Sequence, residues 1–380
     1  MPDLPPLISF AAGRTLNRRG FLLGMSAASL IGAASTSGKA SVMPSSTLAS
    51  KTYSTPRHRT HYLECGPADG PLIIFLHGWP GIGLLWRAQL EAFASYGWRC
   101  VAPDLRGFGG SSAPAAKDAY TVKNVVADMA EFHDHLSGKP AVWVGHDWGS
   151  VVVGALAAHE PKRCRGLVLT SVAYQPKGYA LRTIVPLVDR TIYPADLYPD
   201  GQWDYYRYYT THFNSAVADL DANKAASLAL IFRSGAPSSV GKISPNALVT
   251  RKGGRFGTVH HAPPTPPDPA LWPAVDFAVL VKAFETTGFR PSCAWYLNDD
   301  AAVDYANKAP NGGRLLQPVL FVNGEFDQIC SITGNRQGDP MRAACADLTV
   351  TNLPGGHWLP VECKAELTQA IRTWLQNKMI

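Results

Sequence analysis

The stretch VWVGHDWGSVVV, residues 142–153, constrains the fold more than any other part of the chain. Its first apolar run predicts a buried strand, and its second predicts a helix packed against that strand. The pattern G-x-D-x-G between them predicts a sharp turn, in which Gly145 and Gly149 let the neighbouring chain pass closely. Such a turn presents its central side chain at the carboxyl edge of a sheet, beside a helix N-terminus that favours an anion. We therefore expect Asp147 at the tip of the turn and not in the apolar interior.

Strand and helix patterns alternate on both sides of this turn. Apolar runs that end in Gly or Asp loops, or that follow the turn's helix, predict strands at 71–78, 98–104, 141–147 and 166–174. Apolar residues at helical spacing predict helices at 84–97, 122–138 and 148–161. This alternation is typical of an α/β fold, in which a mostly parallel sheet carries helices on both faces.

The alternation stops at residues 175–300, which are rich in Tyr, Trp and Pro and mostly helical where they have a period. Strand patterns return at 318–327 and 348–358, and a helix closes the chain. We therefore expect an α/β core formed by 57–174 and 301–380, interrupted by a mainly helical lid, or cap, at 175–300.

Residues 1–40 have the features of an export signal. Two adjacent arginines, Arg18 and Arg19, precede a weakly apolar stretch at 21–34, and small residues follow. The apolar stretch is too short for a stable membrane anchor. The segment resembles a bacterial twin-arginine signal peptide, which implies the twin-arginine export machinery as a partner of the precursor and a periplasmic or secreted mature protein. A Ser/Thr-rich linker is expected at 41–56.

Charge and cysteine content exclude some classes of function. The formal net charge is +6, but half of the excess lies within residues 1–40 and no Lys/Arg run follows, so we expect no nucleic-acid partner. The seven cysteines include no C-x-x-C pair and no His/Cys cluster, so we expect no metal and no cofactor. A disulfide between Cys330 and Cys345 is left open.

Two further residues complete a catalytic pattern with Asp147. Asp327 ends the strand pattern PVLFVNGEFD, and His357 lies in PGGHW, just after the last strand pattern. Asp327 alone could cap a helix, and His357 alone could be a structural histidine. Together the three follow the order nucleophile, acid, histidine that is typical of an α/β-hydrolase fold, with the lid in the long first interval.

An aspartate nucleophile indicates attack on a saturated carbon. Serine would form an ether there, which water activated by histidine cannot readily cleave, whereas aspartate forms an ester. Water activated by His357 can attack the carboxylate carbon of Asp147 and regenerate the enzyme. The oxyanion then lies on Asp147, and we expect the backbone N–H groups of Trp79 and Trp148 to donate to it. The substrate is therefore expected to be an epoxide or an alkyl halide.

Residues 55–380 resemble the epoxide hydrolases with an α/β-hydrolase fold. The segments that carry the resemblance are HGWPG (77–81), PDLRGFGGSS (103–112), GHDWG (145–149), GEFD (324–327) and GGHW (355–358). These motifs imply an aspartate nucleophile, but haloalkane dehalogenases share most of them. The lid decides between the two, because an epoxide needs a proton donor for its tethered oxygen.

Two lid segments are similar to those that supply this donor in epoxide hydrolases. The segment GQWDYYRYY places one donor at Tyr205, and FETTGFRPSCAWYLN places the other at Tyr296. By default the other tyrosines of the first segment, Tyr206, Tyr208 and Tyr209, are interpreted as core residues, but a first donor one or three positions away from Tyr205 is left open.

The resemblance thus implies hydrolysis of a small apolar epoxide to a vicinal diol. Trp79 supports this choice, because dehalogenases commonly have Asn or Glu at that position as a halide donor. Two alternatives remain at this stage: a haloalkane dehalogenase with the same nucleophile, and a binding protein with a hydrolase-like fold and no turnover.

Overall fold

The computed structural model describes residues 48–380. The predicted signal peptide at 1–40 lies outside the described residues, as does the first part of the predicted linker. No helix among residues 48–380 is both long and apolar enough to span a bilayer.

The core is one sheet of eight strands in the order β1-β2-β4-β3-β5-β6-β7-β8. Strands β3 to β8 pair in parallel, and β1 and β2 add an antiparallel edge. The strands are β1 Ala49–Ser54, β2 Arg59–Cys65, β3 Leu72–Leu76, β4 Arg99–Pro103, β5 Ala141–His146, β6 Cys164–Thr170, β7 Leu315–Gly324 and β8 Cys345–Leu353. The predicted architecture, a mostly parallel sheet with flanking helices, is confirmed.

Helices cover both faces of the sheet. Those of the core are α1 Arg87–Ser95, α2 Val122–Leu136, α3 Trp148–His159, α11 Asp339–Ala344, α12 Leu359–Glu362 and α13 Lys364–Asn377. The step from β3 to β4 runs toward one edge, whereas the steps from β4 to β5 and β5 to β6 run toward the other. Because such crossovers are right-handed, α1 lies on one face and α2 and α3 on the opposite face. Helices α12 and α13 pack with α1.

The central strands are apolar along their whole length because both of their faces are covered. Ile73, Ile74, Phe75 and Leu76 of β3 are all fully buried, as are the residues of β5. The continuous apolar runs in the sequence therefore correspond to buried parallel strands, as predicted.

The cap lies between β6 and β7 in the chain. Its helices are α4 Leu181–Ile184, α5 Asp204–Thr211, α6 Phe213–Asp221, α7 Lys224–Ile231, α8 Ala274–Thr287, α9 Arg290–Cys293 and α10 Asp299–Ala306. Short 3-10 turns join them at Val185–Leu187, Gly201–Trp203, Pro237–Ser239, Pro245–Leu248, Gly257–Val259 and Ala294–Leu297. The boundary predicted at residue 300 is wrong, because α10 continues past it. Two acidic residues open this helix, where its dipole favours them, and in the sequence they resemble a loop.

The predicted linker at 41–56 is also corrected, because it contains β1. This strand pairs with β2 from Ala49 opposite Glu64 to Ser54 opposite Arg59. The side chains of β1 are mostly exposed, so its sequence shows no apolar alternation and resembles a polar linker. Backbone hydrogen bonds hold it at the edge of the sheet.

All seven cysteines lie within the described residues, and none of them forms a disulfide. Cys330 and Cys345, whose pairing was left open, therefore form no disulfide in this structure.

Candidate active site

The turn between β5 and α3 holds Asp147 in a backbone conformation that L-residues rarely adopt. Its φ is 53° and its ψ is −122°. The two flanking glycines are required for close approach: a Cβ at Gly149 would lie 2.1 Å from the carbonyl oxygen of Leu76, and one at Gly145 would lie 2.5 Å from Gly149. Strain of this kind is typical of a nucleophile elbow.

Asp147, His357 and Asp327 come together at the carboxyl ends of their strands. The His357 Nε2 atom lies 3.6 Å from the Asp147 Oδ2 atom, and Nδ1 lies 2.8 Å from the Asp327 Oδ2 atom. The Asp327 Oδ1 atom accepts the backbone N–H groups of Ile329, at 2.9 Å, and Cys330, at 3.0 Å. Asp327 is therefore fixed by the backbone and can orient the imidazole toward Asp147.

The Asp147 carboxylate also meets the first of the two predicted oxyanion donors. The backbone N–H of Trp79 donates to the Asp147 Oδ1 atom at 2.8 Å. Trp148 is the first residue of α3, so no carbonyl within that helix accepts its N–H. The contact of Trp79 is present in the structure, and the part of Trp148 stays a prediction.

The two predicted lid tyrosines line the same cavity as Asp147 and His357. The ring centroids of Tyr205 and Tyr296 are 6.0 Å apart, and Tyr296 packs edge-on against Trp79 and Trp148. Both tyrosines are buried.

The neighbouring tyrosines of α5 bond elsewhere. The hydroxyl of Tyr206 donates to Asp299, that of Tyr208 donates to the Gly253 carbonyl, and that of Tyr209 accepts from Arg255. None of these three is among the residues that line the cavity. Of the four tyrosines in this run, Tyr205 is therefore the one placed to meet a substrate.

The cavity has a volume of about 350 Å³ and lies between the sheet edge and the cap. Asp147 forms part of its wall but is only 8% exposed, so the cap covers the turn that the sequence places at the sheet edge. A reaction at this carboxylate would therefore proceed largely out of contact with bulk water.

A model of the α/β hydrolase fold family matches residues 71–362, which span both halves of the core and the cap. The chain belongs to the α/β hydrolase fold family.

This α/β hydrolase is similar over most of its length to proteins named as epoxide hydrolases. Epoxide hydrolase A of Mycobacterium tuberculosis is 28% identical over 321 residues, which are 83% of this chain and 94% of that protein. The crystal structure of Epoxide Hydrolase A from Mycobacterium thermoresistibile has a TM-score of 0.70 and 26% identity, covering 87% of this chain and 98% of that one. An epoxide hydrolase from an endophytic Streptomyces has a TM-score of 0.69 and 28% identity, covering 89% and 97%. The similarity predicted from the motifs is thus confirmed.

The charges around His357 decide its protonation in this α/β hydrolase. Burial lowers the pKa of His357, but the charge of Asp327 and the contacts with Asp147 and Asp327 outweigh it and raise the pKa well above its ordinary value. Burial raises the pKa of Asp327, but the charge and hydrogen bond of His357 outweigh it and leave the pKa lowered. The resting site is therefore an imidazolium between two carboxylates.

This arrangement predicts how stability depends on pH. A raised pKa in the folded state stabilises the fold fully below the unfolded value, about 6.5 for histidine, and the contribution is lost as the pH rises through the folded value. We expect the Tm of the His357→Gln variant to lie below that of the parent near pH 6, and the gap to shrink toward alkaline pH. Thermal denaturation of both proteins across this range measures the gap, and a gap that stays constant would contradict the assignment.

Two residues that the sequence analysis missed hold the backbone of His357. The His146 Nε2 atom and the Ser171 hydroxyl each lie 2.8 Å from the His357 carbonyl oxygen. His146 directly precedes the nucleophile, and Ser171 directly follows β6, so both lie at the same sheet edge as Asp147. The sequence signal that could have identified both residues is a polar residue at the end of a buried strand.

A third missed residue, Cys330, lies beside Asp327 and His357. The potential ligand atoms of these three residues lie within 4.8 Å of one another, close enough in principle for a metal ion. The acid–base pair of Asp327 and His357 accounts for this proximity without a metal. Burial raises the pKa of the Cys330 thiol to about 12, so it is a neutral neighbour of the imidazole.

Proposed function

We propose that this α/β hydrolase adds water to an epoxide to form a vicinal diol, through an ester on Asp147. The observation that carries the proposal is the cavity itself, in which a carboxylate beside an imidazole faces two phenol groups. A carboxylate nucleophile suits an alkyl carbon, and phenols suit an oxygen that stays attached to the substrate.

The first step alkylates the enzyme. Trp79 holds the Oδ1 atom of Asp147, which leaves Oδ2 to attack an epoxide carbon. The carbon–oxygen bond of the ring breaks, and its electron pair goes to the ring oxygen. That oxygen takes a proton from Tyr205 or Tyr296, which becomes a phenolate.

The phenols are suited to this donation because they stay protonated until the ring opens. Burial raises the pKa of Tyr205 and of Tyr296 well above the ordinary value, and the nearby charge of Asp147 raises both further. Once Asp147 is esterified, that charge disappears and phenolate becomes easier to form.

The second step hydrolyses the ester. Esterification also removes the Asp147 hydrogen bond that helps to raise the pKa of His357. The imidazolium then passes its extra proton by way of solvent to the phenolate, which restores the tyrosine and leaves a neutral imidazole as the base. Water gives one proton to His357 and attacks the carboxyl carbon of Asp147, and the N–H of Trp79 stabilises the oxyanion at Oδ1. The bond to Oδ2 then breaks. Its oxygen leaves with the substrate and takes the proton from His357, and the second water proton, which is now on the Asp147 carboxyl group, returns His357 to the imidazolium.

Removing the phenols is expected to slow the first step. We expect Tyr205→Phe and Tyr296→Phe each to lower kcat/KM by about 100-fold, as is typical when one acid of a positioned pair is lost. Tyr208→Phe is the matched control, because its hydroxyl bonds to Gly253 outside the cavity. Initial rates of diol formation by the parent and the variants measure this loss. A double variant that keeps the parent rate would exclude proton donation by these tyrosines.

A panel of epoxides and haloalkanes tests the reaction class. Stoichiometric diol from an epoxide is the expected result, with little halide released from haloalkanes. Halide release that survives in the Tyr205→Phe, Tyr296→Phe double variant would indicate a dehalogenase instead. Binding of epoxides without diol from a folded protein would indicate a binding protein. The apolar side chains Leu230, Ile231 and Trp358 in the cavity wall support an apolar group next to the epoxide.

We also propose that residues 1–40 direct export by the twin-arginine route, which carries proteins already folded. The support is the order of the twin arginine, the apolar stretch and the small residues. Replacing Arg18 and Arg19 together by Lys is expected to leave the folded protein in the cytoplasm. Cell fractionation measures this, and unchanged export would contradict the proposal.

A further inference from the structure

A second charged group lines the cavity besides the catalytic residues. Arg255 comes from the cap loop between the 3-10 turns Pro245–Leu248 and Gly257–Val259, and its partly buried side chain forms part of the cavity wall. The guanidinium carbon lies 5.6 Å from the ring centroids of Tyr205 and Tyr209 and 5.8 Å from that of Trp79. Arg255 therefore lies next to Tyr205 and Trp79, two of the residues proposed to take part in the reaction.

The protein groups that contact Arg255 are neutral. Its Nε atom donates to the Tyr209 hydroxyl at 2.8 Å, and its Nη1 atom donates to the Asn246 Oδ1 atom at 3.2 Å. Burial raises the pKa of Tyr209 above its ordinary value, so its hydroxyl stays a phenol. Among residues 48–380, no carboxylate forms an ion pair with Arg255, and no protein group accepts from its Nη2 atom.

Two other arginines that are withdrawn from water are paired with carboxylates. The buried Arg106 makes two hydrogen bonds of 2.7 Å to Asp128, and the partly buried Arg99 pairs with Glu64 at 2.6 Å. This is the usual rule, since a guanidinium taken out of water without an anion is unfavourable. Arg255 departs from that rule at the cavity wall, where a ligand can reach it.

The charged residues that line the cavity also provide no carboxylate for Arg255. The two carboxylates of the cavity, Asp147 and Asp327, both contact His357, whose single positive charge offsets one of them. Arg233 adds a second cation to the cavity wall, with its Nη2 atom bonded to the Pro266 carbonyl at 2.8 Å. The cap thus contributes two positive charges to the wall and no carboxylate.

We infer that the substrate is an epoxide on an apolar skeleton that ends in a carboxylate, and that Arg255 binds this carboxylate. The inference rests on the proposed epoxide hydrolysis and names its substrate class. The Nη2 atom of Arg255 has free N–H donors, and the Nη1 atom, which also donates to Asn246, can supply a second N–H. Together they offer the paired N–H groups that a carboxylate accepts. The apolar wall near Trp358 then contacts the carbon chain. Arg255 would act as a specificity residue, and the nucleophile and phenols would do the chemistry.

A matched series of epoxides tests this inference. Terminal epoxides that end in a carboxylate are compared with their methyl esters, with the chain lengthened one methylene at a time. We expect one chain length for which the acid has a kcat/KM at least about tenfold above that of its ester. We expect Arg255→Gln to lower kcat/KM for that acid by about 100-fold, mainly through KM, and to change the ester little. Arg255→Lys should fall between, because it keeps the charge and loses the paired geometry.

Controls separate this role from others. Arg251→Gln removes an exposed arginine of the same loop and should leave the ratio of acid to ester unchanged. An unreactive fatty carboxylate should inhibit ester hydrolysis by the parent more strongly than by the Arg255→Gln variant.

Three outcomes would contradict the inference or the proposal beneath it. Equal loss of acid and ester turnover in Arg255→Gln would overturn the inference and would mean that Arg255 supports the tyrosines instead of binding the substrate. Esters hydrolysed faster than acids by the parent would overturn it too, while leaving epoxide hydrolysis intact. Failure to form diol from either series would instead defeat the proposed function.

Discussion

Replacing Asp147 by Asn is expected to lower kcat by about 10⁴-fold or more, as seen when a nucleophile is removed from a catalytic triad. The amide keeps an oxygen that can accept the N–H of Trp79, but its nitrogen and oxygen are poor nucleophiles. Asn also tolerates a positive φ better than most residues, so the turn should keep its shape. Diol formation by the purified variant measures the loss.

The exposed Asp69 provides the control for that experiment. Asp69→Asn removes one carboxylate from a surface turn and should leave the rate unchanged. A Tm for Asp147→Asn close to that of the parent shows that the fold is intact. Retention of more than a few per cent of the activity by a folded Asp147→Asn variant would mean that another group attacks the epoxide.

Replacing His357 by Gln is expected to separate the two steps. Attack by Asp147 needs no base, because the carboxylate is already ionised, whereas hydrolysis of the ester needs His357. The variant should therefore react once with the epoxide and stop, with steady-state turnover lowered by about 10⁴-fold or more. Mass spectrometry of the intact protein should show one added substrate mass per chain.

The position of that added mass gives the critical comparison. It should map to the peptide that contains Asp147, and it should be missing when Asp147→Asn is combined with His357→Gln. Continued turnover by His357→Gln without any accumulated adduct would show that another residue activates the water.

The candidate catalytic residues could be predicted because strands determine their positions. Asp147 and Asp327 follow buried strands, His357 follows the edge strand β8, and the ends of parallel strands meet at one edge of a sheet. The apolar runs and the turn residues around each strand are local signals, so the sequence alone predicts that these three residues lie at the same edge of the sheet. The same reasoning could have drawn attention to His146 and Ser171, which lie at two of these strand ends.

The cap is harder to predict because its contacts are not local. Helical period places Tyr205 and Tyr209 on one face of α5, yet only the packed cap shows that Tyr205 reaches the cavity while Tyr209 bonds to Arg255. Arg255 lies in a loop without any period, so its place in the cavity wall depends on how the whole cap folds back. The strand β1 was missed for a related reason, since its backbone pairing with β2 and its side-chain contacts, such as Lys51 with Glu64, leave no apolar pattern in the sequence.

The central claim is that Asp147 forms an ester whose carboxyl carbon is then attacked by water. A single turnover with excess enzyme in water enriched in heavy oxygen tests it most directly, followed by mass spectrometry of the diol and of the peptide that contains Asp147. We predict heavy oxygen in the Asp147 carboxylate and ordinary oxygen in the diol, because the diol takes Oδ2 from the enzyme. Heavy oxygen in the diol and none in Asp147 would contradict the account, because water would then attack the epoxide directly.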